Sequence, residues 1–332
     1  MSKKQSAELS PALELNGLRV EYDQLVAVND VSIKVYPGMI FGLLGPNGAG
    51  KTSLMSCVAG LIEATYGEVL INGYSLYEQR AEALASLGFQ PDVPPMSDGL
   101  TVYEFLELFA SAYGLREELR AQRIQELLEL VKLTSHRDAL AQSLSRGMRQ
   151  RLFLAKTMLP APRLMILDEP ASGLDPMARR DLAGLIRELA QQGVAVVISS
   201  HVLEELNGVC DSLAVMSRGV VLDQGSIDEV RSRLNPPPEL ELGFLEGVSE
   251  ALQSQLSEHF GPRLLKIEPL GSPQTGYVIH LKQSEAPLKP ETLAAELKAL
   301  LELGLSPTRF AAREANLQEL FLALAERGEV SA

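Results

Sequence analysis

The sequence predicts an α/β fold built on a mixed sheet, followed by a small α+β domain. Three observations lead to this fold class. The segment Gly45–Thr52 combines glycines, a lysine and a threonine, between an apolar run that predicts a buried strand and a pattern that predicts a helix. A second apolar run, at 163–169, ends in two carboxylates. A proline-rich stretch at 235–238 then separates residues 239–332 from the rest, as a stiff linker would.

Length and composition limit the classes of protein that this sequence can encode. A chain of 332 residues with 46% hydrophobic residues suggests two domains and at least one large core. The net charge of −13 disfavours a dedicated nucleic-acid binder, which needs a basic face. No apolar signal sequence follows Met1, and no apolar run is long enough to cross a membrane, so we expect a cytoplasmic protein. Cys57 and Cys210 lie far apart within predicted helices, which indicates reduced thiols in the core.

The first part of the chain has the alternation typical of half-exposed antiparallel strands. Short runs of alternating apolar and polar residues occupy 13–36, and the pattern returns at Glu68–Asn72. Tyr22 lies within this region. Its spacing is compatible with stacking on a nucleotide base and at least equally with packing on the core, so both interpretations stay open.

The segment Gly45–Thr52 fits the phosphate-loop pattern and predicts nucleotide binding. Its glycine loop and the following helix, at 52–59, direct backbone N–H groups at one point, where a phosphate can bind. Gly48 and Gly50 allow the backbone to approach that phosphate closely. We expect Lys51 to reach the β- and γ-phosphates and the Thr52 hydroxyl to help hold Mg²⁺. The residues assigned to the nucleotide here are Asn47, Gly48, Ala49, Gly50, Lys51, Thr52 and Ser53.

Residues 101–158 predict a helical insertion between two sheet segments. The elements predicted in and before it are a helix at 77–87, a strand ending at Gln90, and helices at 102–113, 116–133 and 146–158. Thr101 and Glu104 have the spacing of a capping box for the first helix of the insertion. Ser145 is well placed to cap the last one.

The carboxylates at the end of strand 163–169 predict a catalytic site, because a buried, unpaired carboxylate is costly in a core. In a phosphate-loop protein, Asp168 should hold Mg²⁺ through water. Glu169 should then polarise the attacking water as a general base. The alternative is a strand end that merely reaches solvent.

Beyond these carboxylates the chain continues with a helix and another buried strand. Asp175 and Pro176 predict the start of the helix, with the acid as its cap. The strand, at 194–198, is followed by two serines and His201. A histidine at a strand end is expected to be functional when neighbouring strand ends carry phosphate-binding and acidic groups.

Taken together, these parts resemble the nucleotide-binding subunit of an ATP-binding cassette (ABC) transporter. The resemblance covers residues 12–234, with every part in the family's order. The parts are Tyr22, the phosphate loop, Gln90, the signature segment Leu144–Met148, Asp168-Glu169, the loop Ser172–Asp175 and His201. The segments Gly88–Asp92 and Leu144–Arg151 are similar to the branch that serves ABC-2-type exporters. The resemblance implies a P-loop NTPase of the ABC ATPase type, with an antiparallel β subdomain and a helical subdomain at about 101–158.

The same resemblance implies cofactors and roles. ATP and Mg²⁺ are the implied cofactors, with Tyr22 stacking on adenine. Thr52, Gln90 and Asp168 are assigned to the metal. Glu169 is the implied base, and Gln90 and His201 act with it by sensing the γ-phosphate.

The signature segment departs from the family's commonest form at two positions. Arg146 stands where glycine is usual, and Met148 where glutamine is usual. The resemblance implies that Ser145 and Gly147 contact ATP bound by an opposite subunit, and it assigns Asp175 to the nucleotide site as well. Whether the chain pairs with itself or with a second ABC subunit stays open.

Residues 239–332 predict a separate domain with the element order βαββαβ and an added helix. The order suggests a ferredoxin-like split unit. The predicted segments are strands at 239–244, 263–267, 276–282 and 308–311 and helices at 248–260, 291–303 and 317–325. We find no catalytic constellation here and expect an accessory or regulatory role.

The function implied is that of an ATP-binding and ATP-hydrolysing subunit of an ABC-2-type exporter. It would drive a separate transmembrane permease by ATP-dependent dimerisation, from the cytoplasmic side of the membrane, with no nucleic-acid partner. The alternative is a soluble ABC ATPase with a mechanical role on ribosomes or DNA. That class usually has two cassettes, zinc modules or long coiled coils, whereas this acidic chain has a single cassette and no cysteine cluster.

Overall fold

The computed structural model describes residues 10–23, 25–94, 99–234, 239–245, 249–270, 275–282 and 290–313. The chain divides into two compact units, Met1–Val230 and Arg231–Ala332. The linker predicted at 235–238 and the helix predicted at 317–325 lie outside the described residues.

After an initial antiparallel pair of strands, the first unit consists of strands interspersed with helices. Its strands are β1 (Leu13–Tyr22), β2 (Leu25–Val35), β3 (Ile40–Leu44), β4 (Tyr66–Ile71), β5 (Tyr74–Ser75), β6 (Leu87–Gln90), β7 (Leu164–Leu167), β8 (Ala195–Ser200), β9 (Ser212–Ser217) and β10 (Val220–Ser226). Its helices are α1 (Lys51–Val58), α2 (Arg80–Ala85), α3 (Val102–Ala112), α4 (Glu117–Leu130), α5 (Arg146–Met158), α6 (Pro176–Gln191), α7 (Leu203–Leu206) and α8 (Ile227–Leu234), the last of which runs past the division between the units.

Two sheets form this unit. The six-stranded sheet has the order β10-β9-β3-β8-β7-β6, in which only β10 runs antiparallel to its neighbour. The strands β3, β8 and β7 are buried along their whole length, as expected for parallel strands covered on both faces. The second sheet is antiparallel, with the order β2-β1-β4-β5. Apolar side chains from both sheets and from α1 form one core.

The parallel strands place the predicted catalytic segments at one edge of the sheet. The phosphate loop follows β3, His201 follows β8, Asp168 and Glu169 follow β7, and Gln90 ends β6. Backbone hydrogen bonds hold the ends of neighbouring strands in register. The N–H of Gly45 donates to the carbonyl oxygen of Ser200, and the N–H of Asp168 donates to that of Gln90. In open α/β sheets, ligands bind outside the carboxyl ends of the strands, which is where these groups meet.

The helical insertion packs around aromatic side chains. Phe105 of α3 is fully buried, and its ring contacts those of Phe109 and Phe153 edge to face. The capping box predicted at its start is present, since the Thr101 hydroxyl accepts from the N–H of Glu104 while the Glu104 carboxylate accepts from the N–H of Thr101.

Some elements differ from the prediction. The helix predicted at 77–87 is shortened to α2, because the backbone of Gln79, with φ of −130° and ψ of 49°, is not helical and Leu87 already begins β6. The placement of Cys210 in a helix was wrong, since it lies in the turn between α7 and β9, where its N–H donates to Leu206. Cys57 belongs to the core, and burial raises its pKa. Cys210 is partly buried, and burial together with the charge of Asp211 raises its pKa to about 12.

The second unit has its own sheet and core. Its described elements are β11 (Glu239–Gly243), α9 (Glu250–Phe260), β12 (Leu264–Leu270), β13 (Gly276–Leu281), α10 (Pro290–Glu302) and β14 (Arg309–Arg313). The sheet is antiparallel with the order β12-β13-β11-β14, so the predicted βαββαβ sequence of elements is observed. Leu240, Leu256, Ile279 and Leu300 are fully buried in its core.

Among the described helices, none combines the length and the apolar character that a membrane span requires.

Candidate functional site

The phosphate loop is packed so tightly that two of its positions admit only glycine. A Cβ at Gly50, whose φ is +99°, would overlap the carbonyl oxygen of Ala27. A Cβ at Gly45 would overlap that of Met216. Gly48 has open space in the Cβ direction, so there the φ of +80° favours glycine. The loop is therefore wedged between β2 and β9, with its backbone fixed before a ligand arrives.

Lys51 is the cation that this loop holds in place. It is only 5% exposed, and its Nζ donates to the carbonyl oxygens of Gly45 at 2.6 Å and Pro46 at 3.3 Å. The same Nζ lies 3.4 Å from Oε1 of Glu169. An ammonium oriented in this way can contact a phosphate without rearrangement of the loop.

A pocket of about 600 Å³ opens over the loop, within the usual range for small-molecule sites. Its lining residues are Tyr22, Leu25, Val26, Ala27, Pro46, Asn47, Gly48, Ala49, Gly50, Lys51, Thr52, Ser53, Asp92, Glu169 and Arg218. Tyr22 lies at its edge with 43% of its surface exposed, and its hydroxyl is 3.5 Å from Oγ of Ser53. Tyr22 is thus a pocket residue rather than a core residue, and its stacking on adenine stays a prediction.

One serine holds the Asp168 carboxylate and the Glu169 backbone. The Ser199 hydroxyl donates to Oδ1 of Asp168 at 2.5 Å and accepts from the backbone N–H of Glu169 at 2.8 Å. Asp168 is buried, at 1% exposure, and Glu169 has a left-handed backbone with φ of +48°. Such a conformation is costly for a residue with a Cβ, and it turns the Glu169 side chain away from the direction that β7 follows.

Glu169 lies between Lys51 and His201. Its Oε1 faces Lys51, and its Oε2 lies 2.9 Å from Nδ1 of His201. Because a carboxylate only accepts, this contact places the His201 proton on Nδ1. The structure therefore brings Lys51, Glu169 and His201 into one chain of contacts.

Gln90 is buried at the end of β6, and the NH₂ end of its side-chain amide faces α5. Its Nε2 donates to Oε1 of Gln150, on α5, at 2.7 Å. Its Oε1 is buried and has no hydrogen-bond partner within the described part of the chain, and the same holds for Oδ2 of Asp168.

The start of the signature helix is capped and closely packed. The Ser145 hydroxyl accepts from the N–H of Met148 at 3.3 Å, which confirms Ser145 as the cap of α5. A Cβ at Gly147 would lie 2.8 Å from Cβ of Ala178, so glycine is needed where α5 meets α6. Asp175 caps α6, with Oδ1 accepting from Met177 and Ala178 at 2.9 Å each.

Arg146, the residue that departs from the family's signature, contacts its own chain. Its guanidinium occupies the space that a Cβ on Gly173 would take, in the loop between Glu169 and α6. Gly173 has φ of +64°. Neither 144–148 nor 172–175 contributes to the lining of the nucleotide pocket in the described structure. The predicted nucleotide contacts of Ser145, Gly147 and Asp175 would therefore have to be made to another subunit.

Comparison of the whole sequence with known proteins decides the family. The Nod factor export ATP-binding protein I of Cupriavidus metallidurans is 30% identical over 319 residues, which are 96% of this chain and 99% of that protein. The chain belongs to the ABC transporter ATP-binding proteins. The sequence profile of the ABC transporter family matches residues 28–172. The linearmycin resistance ATP-binding protein LnrL of Bacillus subtilis is 30% identical over 239 residues, covering 72% of this chain and 76% of that protein.

Solved structures of ABC transporter subunits share the fold. An ATP-binding subunit of an ABC transporter is 31% identical and superposes with a TM-score of 0.61, covering 74% of this chain and 99% of that one. A nucleotide-free ATP-binding cassette, 24% identical, covers 69% of this chain with a TM-score of 0.62. The predicted fold class is confirmed, and this ABC protein is an ATP-binding transporter subunit with ATPase activity, of a kind that works with transmembrane partners.

The residues of this ABC protein also fit the predicted Mg²⁺. The buried oxygens of Gln90 and Asp168 that have no described partner are hard oxygen ligands. Thr52, which directly follows Lys51 in the chain, lines the pocket. The described residues contain no group of three or more His, Cys, Asp or Glu able to hold a metal by themselves. This donor set suits an ion that binds through one carboxylate, neutral oxygens and the phosphates of its nucleotide.

Three residues near the site were not assigned from the sequence. Asp92 and Arg218 line the pocket, and Ser199 links the Asp168 carboxylate to the backbone N–H of Glu169. Burial and the charges of Asp168 and Glu169 raise the pKa of Asp92. Ser199 could have been found, since it is a polar residue at the end of an otherwise apolar strand. Asp92 and Arg218 lie in loops whose sequence carries no such signal.

Proposed function

We propose that this chain is the ATP-hydrolysing subunit of an ABC-2-type exporter and drives a separate transmembrane permease from the cytoplasmic face of the membrane. The observation that carries the catalytic part is the pocket in which Lys51 and Glu169 face each other at 3.4 Å. Two relatives support the export role, since their names assign them to Nod factor export and to linearmycin resistance. The match to the first relative extends over nearly the whole chain and so includes residues beyond the cassette.

In this proposal the pocket holds ATP with its adenine against Tyr22 and its phosphates over the loop. Backbone N–H groups at the start of α1 and the Lys51 ammonium bind the phosphate oxygens. Thr52, Gln90 and Asp168 would hold Mg²⁺, and the ion would supply positive charge to offset the negative charge that develops on the phosphates.

Glu169 polarises the attacking water. Its carboxylate is fixed on both sides, by Lys51 and by His201, and its backbone is anchored through Ser199. A positioned general base contributes about 10²–10⁴-fold to rate. His201, with its proton on Nδ1 toward Glu169, orients this base and senses the γ-phosphate.

The second half of each site comes from another subunit in this proposal. Ser145, Gly147 and Asp175 lie on the starts of α5 and α6, outside the pocket of their own chain. A homodimer or a pair with a second ABC subunit would place them on the phosphates of the opposite pocket. ATP then closes the dimer and hydrolysis reopens it, which converts phosphate contacts into motion of the permease.

The Glu169→Gln variant tests the catalytic part. This substitution keeps the side-chain shape and removes the base, so ATP should still bind, turnover should fall by at least about 10²–10⁴-fold, and an ATP-bound dimer should accumulate. Size-exclusion chromatography with Mg-ATP measures the dimer, and Glu188→Gln, an exposed site on α6, is the matched control. Wild-type turnover in Glu169→Gln would show that another group is the base.

Purification from membranes tests the transport part. The chain should travel with a transmembrane protein in detergent extracts, and that protein should stimulate ATP turnover when the two are reconstituted. Recovery with ribosomes or DNA, and not with a membrane protein, would contradict the exporter assignment.

A further inference from the structure

We infer that Gln150 is a positioning residue that holds the side-chain amide of Gln90 so that its oxygen is presented to the catalytic metal. The inference rests on the proposed role of Gln90 and adds to it a residue for which neither sequence motif nor comparison gives a role. It starts from the 2.7 Å hydrogen bond between Gln90 Nε2 and Gln150 Oε1.

The orientation of a glutamine amide depends on what its two ends contact. Gln90 is 2% exposed and Gln150 is 8% exposed, so water cannot replace either partner freely. Because the Gln150 oxygen is an acceptor, it takes the NH₂ end of Gln90 and leaves the oxygen end turned elsewhere. Without Gln150, the Gln90 amide could rotate by half a turn and present NH₂ groups to the metal, which cannot ligate it.

The second observation concerns the oxygen of the Gln90 side-chain amide. Gln90 Oε1 is buried and has no hydrogen-bond partner within the described residues. A buried acceptor without a partner costs about 1–3 kcal/mol. That cost is offset if the oxygen binds a cation in the working enzyme, and the second buried oxygen of this kind, Oδ2 of Asp168, belongs to the neighbouring strand end.

The hydrogen bond between Gln90 and Gln150 also connects the edge of the sheet where the catalytic groups meet to the signature helix. Gln90 ends β6, at the edge where the catalytic groups meet, whereas Gln150 lies on α5, the helix that begins at the signature segment. A displacement of α5 therefore pulls on the Gln90 amide directly. In the proposed dimer, contact of the signature with the opposite nucleotide would thus change the metal site of the same chain.

The experiment compares two substitutions of Gln150. Gln150→Met keeps the length and removes the acceptor, whereas Gln150→Glu keeps an acceptor and cannot offer NH₂ donors. Both are made in the full chain, with Gln122→Met, an exposed glutamine of α4, as the control. The first readout is the Mg²⁺ concentration that gives half-maximal ATP turnover.

The second readout does not depend on turnover. In the Glu169→Gln background, the rise in melting temperature caused by Mg-ATP is compared with that caused by ATP in EDTA, so that the metal-dependent part is isolated. We expect Gln150→Met to need about 10–100-fold more Mg²⁺, the usual effect of losing the partner of a metal ligand. Gln150→Met should also lose most of the metal-dependent rise in melting temperature. Gln150→Glu should stay near wild type in both the Mg²⁺ requirement and this rise.

Two outcomes overturn the inference. One is an unchanged Mg²⁺ requirement in Gln150→Met, and the other is a Gln150→Glu variant that folds and is as impaired as Gln150→Met.

If Gln150→Glu does not fold, the Gln90→Met/Gln150→Met double variant decides. The Mg²⁺ requirement of the double variant should be no higher than that of Gln90→Met, and an additive loss would overturn the inference. Should Gln90→Met itself leave the Mg²⁺ requirement unchanged, the proposed role of Gln90 fails together with this inference. A defect in Gln90→Met without one in Gln150→Met overturns the inference alone.

Discussion

Lys51 contributes a positive charge that the fold keeps out of solvent. Its ammonium is held by two backbone carbonyls of its own loop and faces the Glu169 carboxylate. A nucleotide's phosphates would meet an ammonium that is already withdrawn from solvent, so no exposed lysine has to be desolvated when ATP binds. The Lys51 ammonium is therefore desolvated during folding, so this unfavourable free energy does not oppose the binding of ATP.

The Lys51→Ala variant should lose this charge and with it ATPase activity. We expect turnover to fall by at least about 10²-fold, comparable to the loss of one preorganised donor, and ATP affinity to fall as well. Lys34→Ala, on the antiparallel sheet, is the control, because that lysine is exposed and pairs only with Glu14 at the surface. Nucleotide titration and a steady-state assay measure both effects. Unchanged affinity and turnover would remove Lys51 from its assigned role.

Arg146 is the residue at which this chain departs most from the family's signature. Its guanidinium packs on Gly173 of the same chain, and its charge lowers the pKa of Asp92, which burial and the nearby carboxylates raise. An arginine engaged in this way within its own subunit does not need to act on the opposite nucleotide. The sequence could identify the departure, but the contact with Gly173 joins segments that no local pattern relates.

Arg146→Gly should accordingly leave turnover within a few-fold of wild type. Ser145→Arg, by contrast, should block the ATP-dependent dimer, because a long side chain would fill the place of the phosphate at the start of α5. A steady-state ATPase assay with size-exclusion chromatography measures both variants. An arginine supplied to the opposite site would be worth about 10³–10⁵ in rate. A collapse of turnover in Arg146→Gly with ATP binding preserved would make Arg146 catalytic.

At the scale of elements, the sequence predicted best those features that depend on residues close together in the chain. The capping box of α3, the caps at Ser145 and Asp175 and the end of β6 follow from residues a few positions apart. The strand predicted at 163–169 is shorter, since β7 ends at Leu167. The hydrogen bonds from the N–H of Ala64 to the Tyr77 hydroxyl and from the Ser199 hydroxyl to the Asp168 carboxylate join positions far apart in the sequence. Such contacts exist only once the sheet has formed, which is why patterns do not reveal them.

Two helices of the second unit, α9 and α10, are joined by a buried acid, and this predicts a pH effect. Burial by itself raises the pKa of Glu296, but hydrogen bonds from Arg263 and His259 outweigh it, so its pKa lies below the ordinary value of 4.5. A lowered pKa stabilises the folded state above the ordinary value, and this contribution is lost as pH falls through the folded pKa.

Glu296→Gln should therefore weaken the contact between α9 and α10 at neutral pH by about 1–3 kcal/mol, as expected for hydrogen bonds to a charged group. The difference from wild type should shrink in acid, where Glu296 is protonated. Hydrogen exchange of peptides from α9 and α10 measures the local opening free energy, with Glu258→Gln, an exposed site on α9, as the control. A destabilisation that persists unchanged at low pH would contradict an ionic origin.

At the scale of the whole molecule, the two units have separate cores. Within the described structure, one core consists of side chains up to Val221 and the other of side chains from Leu240 onward. The positions of the phosphate loop, the strand-end acids and His201 along the first unit were predictable, because each lies in a short local pattern beside an apolar strand. The role of the second unit was not, since its sequence specifies packing and holds no group of catalytic residues.

Deleting residues 236–332 tests this separation. The described residues that line the nucleotide pocket end at Arg218, and α8 is complete at Leu234, so the shortened chain keeps every pocket contact and the whole of the first core. We expect the truncated chain to bind ATP with an affinity within a few-fold of the full chain, because none of the groups that bind phosphate or metal is removed. Titration with ATP, after circular dichroism has shown a folded protein, measures this, and the same truncation carrying Lys51→Ala provides the baseline for lost binding. A folded truncation that binds no better than this baseline would mean that the second unit helps to form the nucleotide site, and the domain boundary proposed here would have to move.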